Sequence, residues 1–326
     1  MKHIGVIGAG AWGTALAQVA AQNGPVTLWA FEPDVADAIN ELHENSAFLP
    51  GIPLSQDIRA TAHIAELDGC DALLVVTPAQ HMRVILKAAP VGSTPLLLCS
   101  KGIEARTMAL MSDAATETCP DAPIAALSGP TFASEVAAGL PTAVTLACPD
   151  EALGAALAER LALPSFRPYR STDLIGAEIG GAVKNVLAIA CGIVEGAGLG
   201  RNARAALIAR GFAEMTRFGI ARGARPETLA GLAGMGDVVL TCTSEQSRNF
   251  SLGLGIGQGQ SAASLLTDRR TIAEGAFTAP VLAQAAKAVG VEMPIAEAVA
   301  ALIAGDWTVT QAIEALLARP LKSERD

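Results

Sequence analysis

The stretch Ile4-Gly5-Val6-Ile7-Gly8-Ala9-Gly10-Ala11-Trp12-Gly13-Thr14-Ala15-Leu16-Ala17 constrains this chain more than any other. It opens as an apolar run rich in β-branched residues, which suits a buried parallel strand. Glycines then interrupt it, and Thr14-Ala15-Leu16-Ala17-Gln18-Val19-Ala20 has a helical composition. A G-x-G-x-x-G turn between strand and helix carries a mechanism. Gly8 makes the tight turn, Gly10 lets a pyrophosphate approach the backbone, and Gly13 lets helix and strand pack closely. The free N–H groups and dipole of the helix N-terminus then face the phosphates. A second strand-like run follows at residues 26–30, and Glu32 lies just past it, roughly 20 residues beyond the turn, where an acid can bind a ribose 2′-hydroxyl. The pattern predicts dinucleotide binding; the plainer alternative is a glycine-rich turn in another α/β protein.

The first half of the chain keeps this rhythm. Strand-like runs recur at residues 72–76, 96–99, 124–127 and 143–146, with helical or loop stretches such as 34–42 and 108–118 between them. That alternation predicts βαβ units, a mostly parallel sheet and, with right-handed crossovers, a doubly wound Rossmann-type α/β domain. Ligands lie off the carboxyl ends of such strands. The segments to read for chemistry are therefore Thr77-Pro78-Ala79-Gln80, Ser100-Lys101-Gly102-Ile103-Glu104 and Ser128-Gly129-Pro130-Thr131-Phe132-Ala133. From about residue 174 to 222, and again from 278 to 319, strand signals vanish and apolar residues fall at helical spacing, which predicts an all-α second domain. The boundary falls in residues 164–170, whose two prolines and two arginines suit a linker or a last edge strand. This gives a dinucleotide-binding domain at 1–170 and a helical substrate and catalytic domain at 171–326. The glycine-rich stretch 251–261 follows no strand, so it reads as a tightly packed helix–loop region and not as a second nucleotide loop.

Two domains also suit 326 residues. Charged residues are 17% and hydrophobic ones 51%, which excludes a disordered chain. A net charge of −9 argues against a nucleic-acid or anionic-membrane surface, while local positive groups can still bind a small anion. No 18-residue uncharged apolar run occurs, so no transmembrane helix is expected. The N-terminus runs straight into the first strand, so no signal peptide is expected. Six scattered cysteines without a CxxC pair read as reduced, buried thiols of a cytoplasmic protein. A homodimer is the default assembly.

Three features carry candidate chemistry. Lys184 is the one lysine in the apolar helical run 180–189. Desolvation there lowers its pKa, and a lysine brought toward roughly 7–8 serves as a general acid or base. A lysine snorkelling to water is the alternative. Lys101 follows a strand-like run and is as readily a surface lysine as a cleft amine. The densest polar cluster is residues 234–249, where Ser247-Arg248-Asn249 sets a hydroxyl, a guanidinium fork and an amide side by side, a phosphate-binding chemistry. Asp237 in the same run could hold Lys184 or a substrate hydroxyl. A solvated loop with a serine helix cap gives the same composition.

Taken in order, Gly8-Ala9-Gly10-Ala11-Trp12-Gly13-Thr14-Ala15-Leu16-Ala17, Ser100-Lys101-Gly102, Ser128-Gly129-Pro130-Thr131-Phe132-Ala133, Lys184-Asn185, Gly236-Asp237 with Thr241-Cys242, and Ser247-Arg248-Asn249 closely resemble the bacterial NAD(P)-dependent sn-glycerol-3-phosphate dehydrogenase family. The likeness covers about residues 3 to 320. It implies that Lys184 is the proton acceptor, and that Lys101, Gly129, Thr131, Asp237, Ser247, Arg248 and Asn249 contact substrate beside it. It also implies cofactor contacts at Trp12, Ala133, Arg248, Ile272 and Glu274. With the turn residues Gly8, Gly10, Ala11 and Gly13, and with Glu32 and Lys101, these complete the expected cofactor set. The chain departs from the family in having Ala11 where serine is common, which removes a hydroxyl to the phosphates. Thr131 replaces a common serine and keeps the hydroxyl. No basic residue stands at Ala30-Phe31-Glu32, which points to NAD being used at least as well as NADP.

The resemblance implies reversible hydride transfer between dihydroxyacetone phosphate and sn-glycerol 3-phosphate, feeding phospholipid synthesis. Arg248 and Asn249 would grip the phosphate, and Lys101 and Asp237 would orient the glycerol end. Two other readings share features with it. A β-hydroxyacid or 6-phosphogluconate-type dehydrogenase also joins a Rossmann domain to a helical domain with a helix lysine. A non-catalytic dinucleotide sensor would leave the polar residues around Lys184 and Arg248 unexplained.

Overall fold

Residues 1–267 and 273–320 are described by a computed structural model. Eight strands form one sheet: β1 (Ile4–Ile7), β2 (Val26–Trp29), β3 (Ile58–Thr61), β4 (Ala72–Val75), β5 (Leu96–Leu98), β6 (Ile124–Ser128), β7 (Thr142–Ala147) and β8 (Phe166–Ser171). Their order is β3-β2-β1-β4-β5-β6-β7-β8. The six strands from β3 to β6 run parallel, β7 is antiparallel to β6, and β8 is parallel to β7. All four residues of β1, of β2 and of β4 are buried, as expected of strands covered on both faces. The chain leaves β1 toward β2 and β3, then returns to lay β4 on the other side. The strand order therefore reverses between β1 and β4, and the crevice off their carboxyl ends is where a ligand binds in such sheets.

The doubly wound sheet and helical second half match the sequence reading, with one difference. β3 is missing from the expected strands because it is a short edge strand whose apolar run is broken by exposed Arg59. Of the two readings of residues 164–170, the last edge strand holds: they are mostly β8, where Pro168 is tolerated because one side needs no ladder partner.

The second half is built around one helix, Leu174–Gly196, buried from Gly176 to Val194. A helix apolar all round belongs in an interior. By length and composition it could cross a membrane, although it carries Glu178, Lys184 and Glu195, but its most apolar 18-residue window is wholly buried within the protein. Helices Gly200–Ala221, Arg248–Gly257, Glu274–Ala288 and Pro294–Ala304 pack against it. The glycines of Arg248–Gly257 make its seat: a Cβ on Gly253 would lie 2.0 Å from the Ile189 carbonyl oxygen, and one on Gly257 2.4 Å from that of Ile193. The glycine-rich stretch is thus a close helix–helix contact, as expected.

Candidate active site

At the end of β1 the glycine turn divides its tasks. Gly8 has φ +114°, a conformation that side chains disfavour. A Cβ on Gly13 would lie 1.8 Å from the Gly8 carbonyl oxygen, so helix Ala11–Ala21 can sit this close to the turn only with glycine there. At Gly10, the N-cap of that helix, an added Cβ would meet nothing within 4 Å among the described residues. Open space thus lies in front of the free N–H groups of a helix start, which fits the pyrophosphate of a dinucleotide. Ala11 and Trp12 form the first turn; the Trp12 indole N–H is buried without a hydrogen-bond partner among the described residues. Ala133 starts helix Ala133–Ala137, which packs on helix Ala11–Ala21. Glu32 is exposed beyond β2, at the N-cap of helix Pro33–Leu42.

The second group gathers at the ends of β5 and β6. Asp237 follows a π-helical turn, Leu232–Gly236, a local widening frequent at functional sites, and its residue is 0% exposed. Its Oδ1 accepts from Lys184 Nζ at 2.7 Å, and its Oδ2 from Lys101 Nζ at 2.8 Å. Thr241 Oγ1, one turn further on, accepts from Lys184 Nζ at 3.1 Å and lies 3.2 Å from Asp237 Oδ1. Lys101 also donates to the Gly129 carbonyl oxygen at 3.3 Å, as does the Thr131 hydroxyl. Two glycines bring the helix of Lys184 this near. A Cβ on Gly180 would lie 2.3 Å from the Ala233 carbonyl oxygen, and one on Gly181 2.9 Å from Ser128 Oγ.

Two ammonium groups on one buried carboxylate leave a net positive charge at the crevice. Burial pushes Lys184 down to about 8, and Lys101 acts in the same direction, while Asp237 pulls it up. An amine in this range changes protonation near neutral pH and is matched to proton transfer. The alternative of a lysine reaching to water does not hold, since Lys184 is 6% exposed.

The remaining expected residues form a rim. Ser247 caps helix Arg248–Gly257, its Oγ accepting from the Phe250 N–H at 3.3 Å, and Arg248 is exposed in the first turn. Asn249 donates to Asn185 Oδ1 at 3.0 Å and accepts from the Gly275 N–H at 2.9 Å, tying this helix start to the middle of helix Leu174–Gly196 and to the start of helix Glu274–Ala288. Glu274, half-buried at the start of helix Glu274–Ala288, has its carboxyl pushed up to about 7 by burial. Ile272 lies outside the described residues. Ser128, Asn185 and Thr241 stand in the motifs of the sequence without a role of their own. The only hint of the close approach was the pair Gly180-Gly181 in an otherwise strong helix.

The comparisons with known proteins agree along the chain. The family model described as NAD-dependent glycerol-3-phosphate dehydrogenase N-terminus matches residues 3–154, and the C-terminus model of the same family matches 173–314. A Sphingopyxis alaskensis protein named glycerol-3-phosphate dehydrogenase [NAD(P)+] 1 is 63% identical over 99% of this chain and 98% of its own length. A Caulobacter vibrioides protein named glycerol-3-phosphate dehydrogenase [NAD(P)+] is 61% identical over 99% of both chains. The crystal structure of glycerol-3-phosphate dehydrogenase from Coxiella burnetii superposes with a TM-score of 0.92, at 38% identity over 98% of this chain and 99% of that one. With both halves matched in order and the relatives covered end to end, the chain belongs to the NAD-dependent glycerol-3-phosphate dehydrogenase family.

Proposed function

We propose that this protein is an NAD(P)-dependent dehydrogenase that interconverts dihydroxyacetone phosphate and sn-glycerol 3-phosphate and supplies the latter for phospholipid synthesis. The observation that carries the reading is the buried Lys184–Asp237–Lys101 cluster, at the same edge of the sheet as the glycine turn. The nicotinamide, when bound, supplies or accepts the hydride at C2. In reduction Lys184 gives a proton to the C2 oxygen; in oxidation it takes the C2 hydroxyl proton. Asp237 holds the amine in place and opposes the loss of its charge. Lys101 is the second cation beside the C2 oxygen, and Gly129 and Thr131 shape the floor next to it. Ser247 and Asn249 fix a helix start whose N–H groups, together with the Arg248 guanidinium, receive the phosphate.

On the cofactor side the reading assigns Gly8, Gly10, Ala11, Trp12 and Gly13 to the pyrophosphate, with Ala133, Arg248, Glu274 and Lys101 toward the nicotinamide end. Glu32 accepts from the ribose 2′-hydroxyl, so NAD is used at least as well as NADP. Arg59 on the neighbouring strand is engaged with Glu66 at 2.6 Å, and Glu32 is the first charged residue after β2 in the chain. The division at 170/171, a cytoplasmic location and a homodimer belong to the same proposal. The test is NADH consumption on adding dihydroxyacetone phosphate or a 3-oxo acid, beside NADH formation from NAD on adding 6-phosphogluconate. Turnover confined to the phosphorylated ketone supports the reading; preference for an acid substrate assigns the site to the β-hydroxyacid class.

A further inference from the structure

Asn45 is 1% exposed, although it lies outside helix and strand in the segment that leads away from helix Pro33–Leu42. Both ends of its amide are engaged. Nδ2 donates to the Ala9 carbonyl oxygen at 2.8 Å and to Thr14 Oγ1 at 2.8 Å, and Oδ1 accepts from the Phe48 N–H at 3.1 Å. Thr14, itself fully buried, donates from its hydroxyl to the same Ala9 oxygen at 3.3 Å. Two side-chain donors therefore converge on one carbonyl in the middle of the glycine turn.

That carbonyl belongs to the Ala9–Gly10 peptide. The peptide is trans and planar, so its C=O and N–H point in opposite directions. Pinning the oxygen inward aims the Gly10 N–H outward, toward the open space in front of Gly10. Glycine makes this peptide easy to turn over, because residue 10 has no Cβ to resist the change. The turn needs a restraint that its own backbone does not provide. We propose that Asn45, with Thr14, is a positioning residue of the dinucleotide site: it locks the Ala9–Gly10 peptide so that the Gly10 N–H donates to the pyrophosphate. This rests on the dinucleotide-binding reading and adds a residue remote from the turn in sequence.

Substituting Asn45→Asp keeps the size of the side chain but sets an acceptor against the Ala9 oxygen, which favours the turned-over peptide. The readout is calorimetric titration with ADP-ribose, which carries the pyrophosphate and no nicotinamide, alongside steady-state kinetics. ADP-ribose and NADH should bind about tenfold more weakly or worse, as expected for losing one hydrogen bond to a charged group. KM for dihydroxyacetone phosphate, and kcat at saturating NADH, should stay within about twofold. Affinity for ADP-ribose within twofold of wild type would overturn the proposal. If the wild-type protein fails to bind ADP-ribose, the dinucleotide reading itself falls, and the proposal with it. Should Asn45→Asp not fold, Thr14→Val decides. It removes a partner of Asn45 and the second donor, and should weaken ADP-ribose binding about threefold or more, while Thr14→Ser retains wild-type affinity. Equal affinity of the Val variant and the wild type would overturn the proposal.

Discussion

At the glycine turn, the groups that face the crevice are backbone amides at a helix start, in space kept open by glycines within six residues of one another. At Asp237, they are side-chain charges brought from far apart: Lys101 after β5, Lys184 on the central helix and Asp237 beyond the π-helical turn. The first surface recognises a group common to all dinucleotides, and it works by shape and fixed dipoles. The second holds a proton and a net charge, and it works only because water is excluded. Damage to the two halves should therefore separate cleanly in kinetics: the glycine turn should govern cofactor affinity, and the charged cluster turnover.

The strongest attempt to break that separation is Lys184→Ala. Its turnover should fall ~10²–10⁴-fold, the usual contribution of general acid–base catalysis, while NADH affinity stays near wild type. A variant that keeps half of the wild-type kcat would remove Lys184 from the proton path. Next in size is Arg248→Ala, which deletes a charge-assisted contact worth about 1.5–3 kcal/mol. KM for dihydroxyacetone phosphate should rise on the order of tenfold to a hundredfold, and unphosphorylated dihydroxyacetone should be a poor substrate for the parent enzyme. Equal efficiency on both ketones would leave the phosphate without its clamp.

On the cofactor side, Gly13→Ala forces a methyl group to within 1.8 Å of the Gly8 carbonyl oxygen, and a backbone atom cannot swing away. Overpacking of this kind costs typically ~1–3 kcal/mol in stability. Thermal unfolding and NADH titration should show a lower Tm and an affinity reduced about tenfold, with KM for dihydroxyacetone phosphate little changed. The smallest effect concerns Glu32. Values of kcat/KM for NADH and NADPH, measured at one salt and pH, should favour NADH or differ by less than tenfold, which is ~1.4 kcal/mol. A tenfold preference for NADPH would mean that Glu32 does not read the ribose.

The same division explains what could be read from the sequence. The dinucleotide turn is local: strand, glycines and helix are contiguous, so spacing alone specifies the geometry. The mostly parallel, doubly wound sheet follows from alternation, but edge strand β3, whose apolar signal is broken by Arg59, and the antiparallel turn-back of β7 do not. The charged cluster is not local. Nothing in the composition around Asp237 says that both carboxylate oxygens are taken by lysines 53 and 136 residues away. The six motifs placed these residues in one family pattern, and the apolar run around Lys184 pointed to a lowered pKa, but the choice of burial over a lysine reaching to water, and the joint hold of Lys184 and Lys101 on Asp237, came only from the packed structure. Asn45 illustrates the limit: a polar residue in an irregular segment has the composition of any surface turn until its partners Ala9 and Thr14 are seen.

The central claim is that a buried Lys184, held by Asp237, carries the proton, and the pH dependence of reduction tests it most directly. Reduction needs the ammonium form. With Lys184 near 8, kcat/KM for dihydroxyacetone phosphate should be level below that pH and fall about tenfold per unit above it, with glycerol 3-phosphate oxidation rising over the same interval. Asp237 favours the charged amine, so Asp237→Asn should move the break to lower pH as well as slow the reaction. A break that stays in place in the Asn variant, or moves to higher pH, would contradict the account.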